Sequence, residues 1–317
     1  MPKVSVIIPT HSRPKLLPRA VESAQSAGTD VEVIVVDDAS TDETAEVCRN
    51  LKGIKSVRAE RNQKVAGARN IGILASTAEY ISFLDDDDVR LPGTLDTQIE
   101  CLKSCPEAGL VYGKAYLNEV GKAYAAQSEY PQGDVFWELL VQDFIPVMSA
   151  VFRKACLFKV GLLNKTIPGV DDWDLWVRIA ECYPVVMVDD YVAIWRGFTP
   201  TSNQGSSNFA ALLALASSIH KHQWLRLPRA LSAPASKRSE VRQQFLNSIS
   251  DILIWNAAYE LKQGHSLYAR KNLKTALKLH PLRAARPWTI SLLGQTYLPT
   301  ALRLRLGAEN PTVIGSE

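Results

Sequence analysis

No apolar run in the chain approaches the roughly 20 residues needed to cross a bilayer; the longest, such as residues 209–216, stop far short of it. An integral membrane protein is therefore not expected. Cysteine is sparse and unpatterned, with five residues (Cys48, Cys101, Cys105, Cys156 and Cys182) and no CxxC pair. The odd number and the spacing argue against a disulfide framework or a zinc ribbon. Cys101 and Cys105 stand four apart but lack the second ligand pair a zinc site needs. The N-terminus lacks the basic-then-apolar layout of a secretion signal, so a reducing, cytoplasmic setting is the expectation. Acid is missing from one long stretch, because residues 261–308 hold nine Lys or Arg and no Asp or Glu. The formal charge of +3 thus conceals an acidic body, in which the other 27 of the 36 basic side chains meet all 33 acidic ones. The basic tail suits either an anionic surface or plain water.

What is present suffices for a full α/β domain and a smaller appendage: 317 residues, 46% hydrophobic and 22% charged. β-Branched runs at residues 4–8, 31–36, 54–57 and 80–84 alternate with amphipathic segments at 14–27 and 65–76. Residues 40–43, Ser-Thr-Asp-Glu, have the S-x-x-E spacing of a capping box that opens a helix towards Cys48. Strands joined by helical crossovers imply a mostly parallel sheet. Beyond residue 106, strands are expected at 109–117, 147–152, 185–188 and 192–195, and helices at 134–141 and 172–182. A mobile loop rich in Gly, Ser, Thr and Asn is expected at 197–208. From residue 209 the chain reads as helical. Phe245, Ile249, Ile252, Leu253 and Ala257 share a stripe, Gly264 supplies a stop, and Leu273, Ala276 and Leu277 face back from the next helix. The expected layout is an α/β domain over residues 1–205 and a basic helical region over 206–317.

Three loops follow the carboxyl ends of the expected parallel strands, where open α/β sheets bind ligands. They are Pro9-Thr10-His11-Ser12-Arg13, Asp37-Asp38-Ala39-Ser40 and Asp85-Asp86-Asp87-Asp88. Four successive aspartates repel one another unless a cation or solvent neutralises them. Oxygen-only ligands favour Mg²⁺ or Mn²⁺, held by one or two carboxylates together with substrate phosphates; the bland alternative is an acidic surface turn. Asp37 and Asp38 form a turn and cap, or accept hydrogen bonds from a base or ribose. Arg69, among Ala66, Gly67, Ala68 and Asn70, either grips a diphosphate bidentately or is a surface arginine. Asp171, Asp172 and Asp174 suit the first turn of a helix on dipole grounds alone. Trp173, beside them, is either core or an aromatic face for a pyranose.

Together, VSVIIPTHSR, VIVVDDASTDET, NQKVAGARNIGI, YISFLDDDDVRLPGTL and GVDDWDLWVRI resemble the ordered motif set of glycosyltransferase family 2, over roughly residues 3–200. The resemblance implies a GT-A fold (a Rossmann-type, mostly parallel sheet flanked by helices), a nucleoside-diphosphate sugar donor with UDP favoured, Mg²⁺ or Mn²⁺, and inversion at the anomeric carbon. By position it assigns Thr10 and Asp38 to the nucleoside, Asp85 and Asp86 to the ribose region and Asp87 to the metal. Asp172 becomes the base that activates the acceptor. Pro9, Arg13, Asp37, Arg69 and Arg196 complete the donor side, with Asp171 and Trp173 on the substrate side. There are two departures. Asp171 stands where the family often has Glu, and residues 195–200 lack the His that many relatives carry after their Arg, which leaves Arg196 as the candidate there. The implied acceptor is a saccharide, a lipid-linked or another hydroxyl compound in bacterial polysaccharide or glycoconjugate synthesis. Peripheral contact with the inner face of the membrane would run through the basic tail, and no nucleic acid is expected. The competing readings are a sugar nucleotidyltransferase, whose Gly-rich, Lys-containing phosphate loop is missing after the first strand, and a non-catalytic binder of nucleotide-sugars or polyanions.

Overall fold

The structure, a computed structural model, describes residues 2–118, 130–196 and 208–298. The expected loop at 197–208 falls outside these except for Asn208, and so do residues 299–308 of the basic tail. In chain order the elements are β1 (Val4–Thr10), α1 (Leu17–Ser26), β2 (Val31–Asp37), α2 (Thr44–Asn50), β3 (Ile54–Arg58), α3 (Lys64–Ala75), β4 (Tyr80–Phe83) and β5 (Val89–Arg90). They continue with α4 (Thr94–Ser104), β6 (Leu110–Leu117), α5 (Phe136–Val141), β7 (Val151–Arg153), α6 (Leu157–Val160), α7 (Asp171–Cys182) and β8 (Val185–Trp195). The α-helices that follow among the described residues are α8 (Phe209–His222), α9 (Pro228–Ser232), α10 (Ala235–Lys262), α11 (Ser266–Leu279), α12 (Pro281–Ala284) and α13 (Pro287–Gln295). Among the described residues no helix is long and apolar enough to cross a membrane. The chain divides into two compact units, Met1–Leu139 with Asp143–Gln204, and Leu140–Gln142 with Gly205–Glu317.

The first unit is built on an eight-stranded sheet in the order β3-β2-β1-β4-β7-β6-β8-β5. The first four strands are parallel neighbours, so the carboxyl ends of β1, β2 and β4 emerge side by side. β7 runs antiparallel between β4 and β6, and β6 pairs parallel with β8. The sheet is therefore mixed: β7 and β5 run against the other six strands, which share the parallel direction expected from the sequence. Val4–Thr10 is buried along its whole length, as an apolar strand covered on both faces must be. α3 lies close to it because residue 72 is glycine: a Cβ there would come within 2.3 Å of Ile7 Cγ2. Gly113 similarly admits Val192 across the β6–β8 bulge.

Three local expectations are corrected. The capping box does not form, since α2 starts at Thr44 without a side-chain cap at Glu43. Asp42 instead accepts from the backbone and hydroxyl of Thr44, while Ser40 is drawn into the neighbouring loops. The expected strand at 147–152 begins as a 3-10 turn, Val147–Ser149, leaving only Val151–Arg153 in the sheet. Residues 185–195 form one continuous strand rather than two.

In the second unit α10 and α11 form the expected helical hairpin, turning at Gly264 with φ +85°. Phe245, Ile249, Leu253, Ala257, Leu273 and Ala276 are buried along its seam. Ile252 and Leu277 are only half-buried.

Candidate active site

The parallel strands deliver three loops to one edge, and side chains lock them together. Thr10 donates its hydroxyl to Asp86 at 2.7 Å. Arg13 reaches across to Asp86 at 2.8 Å and Asp87 at 3.1 Å. The Asp38 backbone N–H donates to the Thr10 carbonyl, and the Asp38 carboxylate accepts from the N–H of Gln63 at 2.6 Å. Pro9 is buried within β1. Asp37 is also buried, and its two oxygens are taken by the backbone N–H of Ser40 and by Arg58 at 2.6 Å. Of the two readings of Asp37, the turn is the one the contacts describe. Ser12 and Ala39, at φ +54° and +60°, hold left-handed backbone without being glycine; strain of this kind persists where surrounding contacts enforce it and concentrates at functional sites.

The four aspartates do not face one another unopposed. Asp85 pairs with Arg69 at 2.7 Å and keeps about a third of its side chain exposed; Asp86 and Asp87 share Arg13. Asp88 accepts the backbone N–H of Arg196 at 2.9 Å. Thus Arg196 joins the site through its main chain. Burial first, with the Arg13 charge opposing it, pushes the Asp86 carboxyl up to about 6. Asp88 is raised well above the ordinary range by burial and by the charges of Asp85 and Asp87.

Arg69 is the hinge between the two acidic groups. It is buried and bridges Asp85 to Asp171, the latter at 3.2 Å, with its guanidinium 5.2 Å from the centre of the Phe83 ring. Each terminal nitrogen of Arg69 donates to a carboxylate, so in this structure its guanidinium joins two acidic groups. Asp171 also accepts from the Gly169 N–H at 2.9 Å, which fixes the start of α7. The next residue, Asp172, keeps partial exposure. Burial and the neighbouring Asp171 raise its carboxyl to about 6, against the pull of Arg69. Of the two readings of Trp173, the contacts describe the core one: it is 7% exposed and its indole N–H donates to the Leu139 carbonyl at 2.8 Å. It is a core residue rather than an open face for a sugar.

Two residues escaped sequence reasoning. Asp143, half-buried, is raised well above the carboxylate range by burial and by the charge of Asp172. No motif marks it, because only the fold brings it near α7. Arg90 is buried and among the described residues has no acidic partner, being bonded to Gln98 and Ser82 at 2.6 Å and to the Ala150 carbonyl at 3.2 Å. Burial alone lowers its guanidinium to about 9.

The arrangement can hold a polar, anionic ligand against Thr10, Arg13 and the strand ends, and can accept a proton at Asp172. Among the described residues no three carboxylate, imidazole or thiolate side chains converge as a preformed metal cage.

Comparison with known proteins bears on the family and the fold. The profile of "Glycosyl transferase family 2" matches residues 5–158. A beta-1,3-glucosyltransferase of Campylobacter jejuni acting on GalNAc(5)-diNAcBac-PP-undecaprenol is 33% identical over 193 residues, 56% of this chain and 60% of that protein. An uncharacterized glycosyltransferase of Haemophilus influenzae is 27% identical, with 56% and 62% covered; one from Rickettsia felis is 32% identical, with 56% and 30% covered. The chain thus spans less than two thirds of these curated relatives. Among solved structures, S. aureus TarS 1-349 in complex with UDP-GlcNAc superposes with a TM-score of 0.59 at 16% identity, covering 92% of this chain and 84% of that one. The same protein in complex with UDP gives 0.58 at 17% identity, with 93% and 88% covered. The fold is GT-A-like.

Proposed function

Because residues 5–158 make the chain a member of glycosyltransferase family 2, we propose that its first unit transfers a sugar from a nucleoside-diphosphate donor, UDP-linked, to an acceptor hydroxyl with inversion. The observation that carries this reading is the buried Asp85–Arg69–Asp171 bridge. It ties the acidic loop after β4 to the start of α7, so that a donor on the first and a base on the second face the same space. The complexes of TarS with UDP and UDP-GlcNAc support the choice of nucleotide.

Thr10, Arg13 and Asp38 position the donor at the ends of β1 and β2, and Asp172 takes the proton of the attacking hydroxyl as the bond to the anomeric carbon forms. A carboxyl near 6 is largely ionised at neutral pH yet basic enough to accept a proton in the transition state. A divalent cation fits the donor set. Asp85 and Asp87 offer hard oxygen ligands, and the four successive carboxylates of residues 85–88 meet two guanidinium groups, those of Arg13 and Arg69. Mg²⁺ or Mn²⁺ held there, through one or two carboxylates and the donor phosphates, would supply neutralisation of the departing nucleoside diphosphate. The acceptor is a saccharide or a lipid-linked glycan, the latter suggested by the undecaprenol-linked substrate of the Campylobacter relative; a cytoplasmic enzyme at the inner membrane face would meet both.

The test is release of nucleoside diphosphate from UDP-, GDP- and dTDP-sugars with Mg²⁺ or Mn²⁺, alongside calorimetric donor binding by wild type and Asp87→Ala. Metal-dependent binding that Asp87→Ala loses is the expected result. Equal donor affinity of the variant in EDTA and in Mn²⁺ would remove Asp87 from the metal, and no turnover of any donor would remove the transferase reading.

A further inference from the structure

The mixed half of the sheet carries a group of rings that the acidic site does not use. Along β6, Tyr112, Lys114 and Tyr116 alternate with Gly113 and Ala115 and so project from one face. At the inner end Tyr112 is buried, its ring 5.8 Å from that of Phe144 and its hydroxyl donating to the Pro131 carbonyl at 2.7 Å. Phe144 directly follows Asp143, which senses the charge of Asp172. Further out, the Lys114 ammonium lies 5.4 Å from the centre of the Tyr130 ring and 5.8 Å from that of Tyr191. Tyr191 in turn stacks on Tyr116, with centroids 3.8 Å apart and planes within 2°. The contacts therefore run from Phe144, the neighbour of Asp143, to Tyr116 near the end of β6. That end belongs to the active edge: Leu117 pairs with Trp195, and the following residue, Arg196, donates its N–H to Asp88.

We propose that Tyr116, Tyr130 and Tyr191, with Lys114 among them and the buried Tyr112 as their footing, form the acceptor track, and that it takes an uncharged saccharide whose ring faces lie on the three half-buried tyrosines. The proposal rests on the transferase reading above and adds to it the class of acceptor. A cluster serving the core alone would be buried throughout, as Tyr112 is; Tyr116, Tyr130 and Tyr191 stay only half-buried. Flat aromatic faces suit the C–H faces of pyranose rings, and phenolic hydroxyls add polar handles at the rim. Lys114 is paired with Asp189, so the strip presents little net charge, which favours a neutral glycan over a polyanion.

The test uses the full chain on an array of neutral and acidic oligosaccharides, followed by calorimetry with the best neutral binder. Wild type should retain neutral oligosaccharides, and Tyr116→Ala and Tyr191→Ala should each weaken binding about tenfold, which corresponds to ~1.4 kcal/mol. Tyr191→Phe keeps the ring and should bind as wild type; Tyr191→Leu keeps apolar volume without the ring and should fail, which separates stacking from folding. Melting temperature and UDP affinity should be those of wild type in all four. Retention of acidic glycans alone, retention of none, or undiminished binding by the ring-less variants overturns the track. UDP release by wild type, measured on the same preparation, keeps the two ideas apart: its absence sinks the transferase reading, whereas its presence with ring-independent glycan binding sinks the track alone.

Discussion

At the scale of single residues, Asp172 and Asp143 make the sharpest claims. Asp172→Asn keeps the oxygen that accepts the Trp173 N–H, so melting temperature and UDP affinity should hold while turnover to acceptor falls about 10²–10⁴-fold. In wild type that turnover should rise with pH and reach half its plateau near 6, where Asp172 loses its proton. Near-normal turnover in the variant, or a loss that tracks unfolding, would strip Asp172 of the role. Asp143 and Asp172 are both carboxyls raised in the folded state, above the value of about 3.9 that an unfolded chain gives them. Between the two values the folded protein binds more protons than the unfolded one, so stability declines as pH rises through this window. Asp143→Asn removes one such group, and thermal melts from pH 4 upward should show a flatter decline than wild type. An unchanged slope would place Asp143 in water. Of these residues, the sequence marked Asp172 because the motif around it is local. Asp143 could not be read there, since its nearest chemistry lies 29 positions further along the chain.

At the scale of elements, the sheet could be read because parallel β strands with apolar runs and short loops announce themselves, and because loops after parallel strands share an edge. Reading failed where a side chain had two suitors. Ser40 has the spacing of a helix cap, yet its hydroxyl accepts from the Ser12 N–H and its own N–H is held by Asp37, and these bonds between loops outcompete the local one. The bridging role of Arg69 could not be read because its carboxylate partners, Asp85 and Asp171, lie 16 and 102 residues away. Gly72 joins α3 to β1 at the position where Arg69 needs its helix seated. Gly72→Ala would drive a methyl into Ile7, and overpacking of that kind typically costs about 1–3 kcal/mol. Denaturant melts should show the loss, and donor affinity should fall with it as Arg69 shifts. A variant as stable as wild type would mean that α3 can slide.

At the scale of the whole molecule, the acid-poor stretch from residue 261 finds a concrete surface in the second unit. Lys271, Lys274 and Lys278 recur at helical spacing on the exposed side of α11, and Trp255 and Tyr259 stack at 6.0 Å on α10 while about half exposed. Each basic side chain near an anionic bilayer contributes roughly 1 kcal/mol. The full chain should sediment with anionic but not neutral vesicles at low salt, and Lys→Glu changes at the three positions should release it. Equal binding to both vesicles, or to neither, refutes this. The strand order of the first unit has a consequence for synthesis. β1 to β4 can assemble as soon as residue 83 has left the ribosome, but β5 finds its strand partner among the described residues in β8, over one hundred positions later, and Asp88 waits for the N–H of Arg196. The acidic loop is thus framed early on one side and late on the other. A fragment ending at residue 158, the last position of the family match, would keep the parallel strands and lose the second half of that frame, so the site is finished only when about 40 further residues have emerged and folded back.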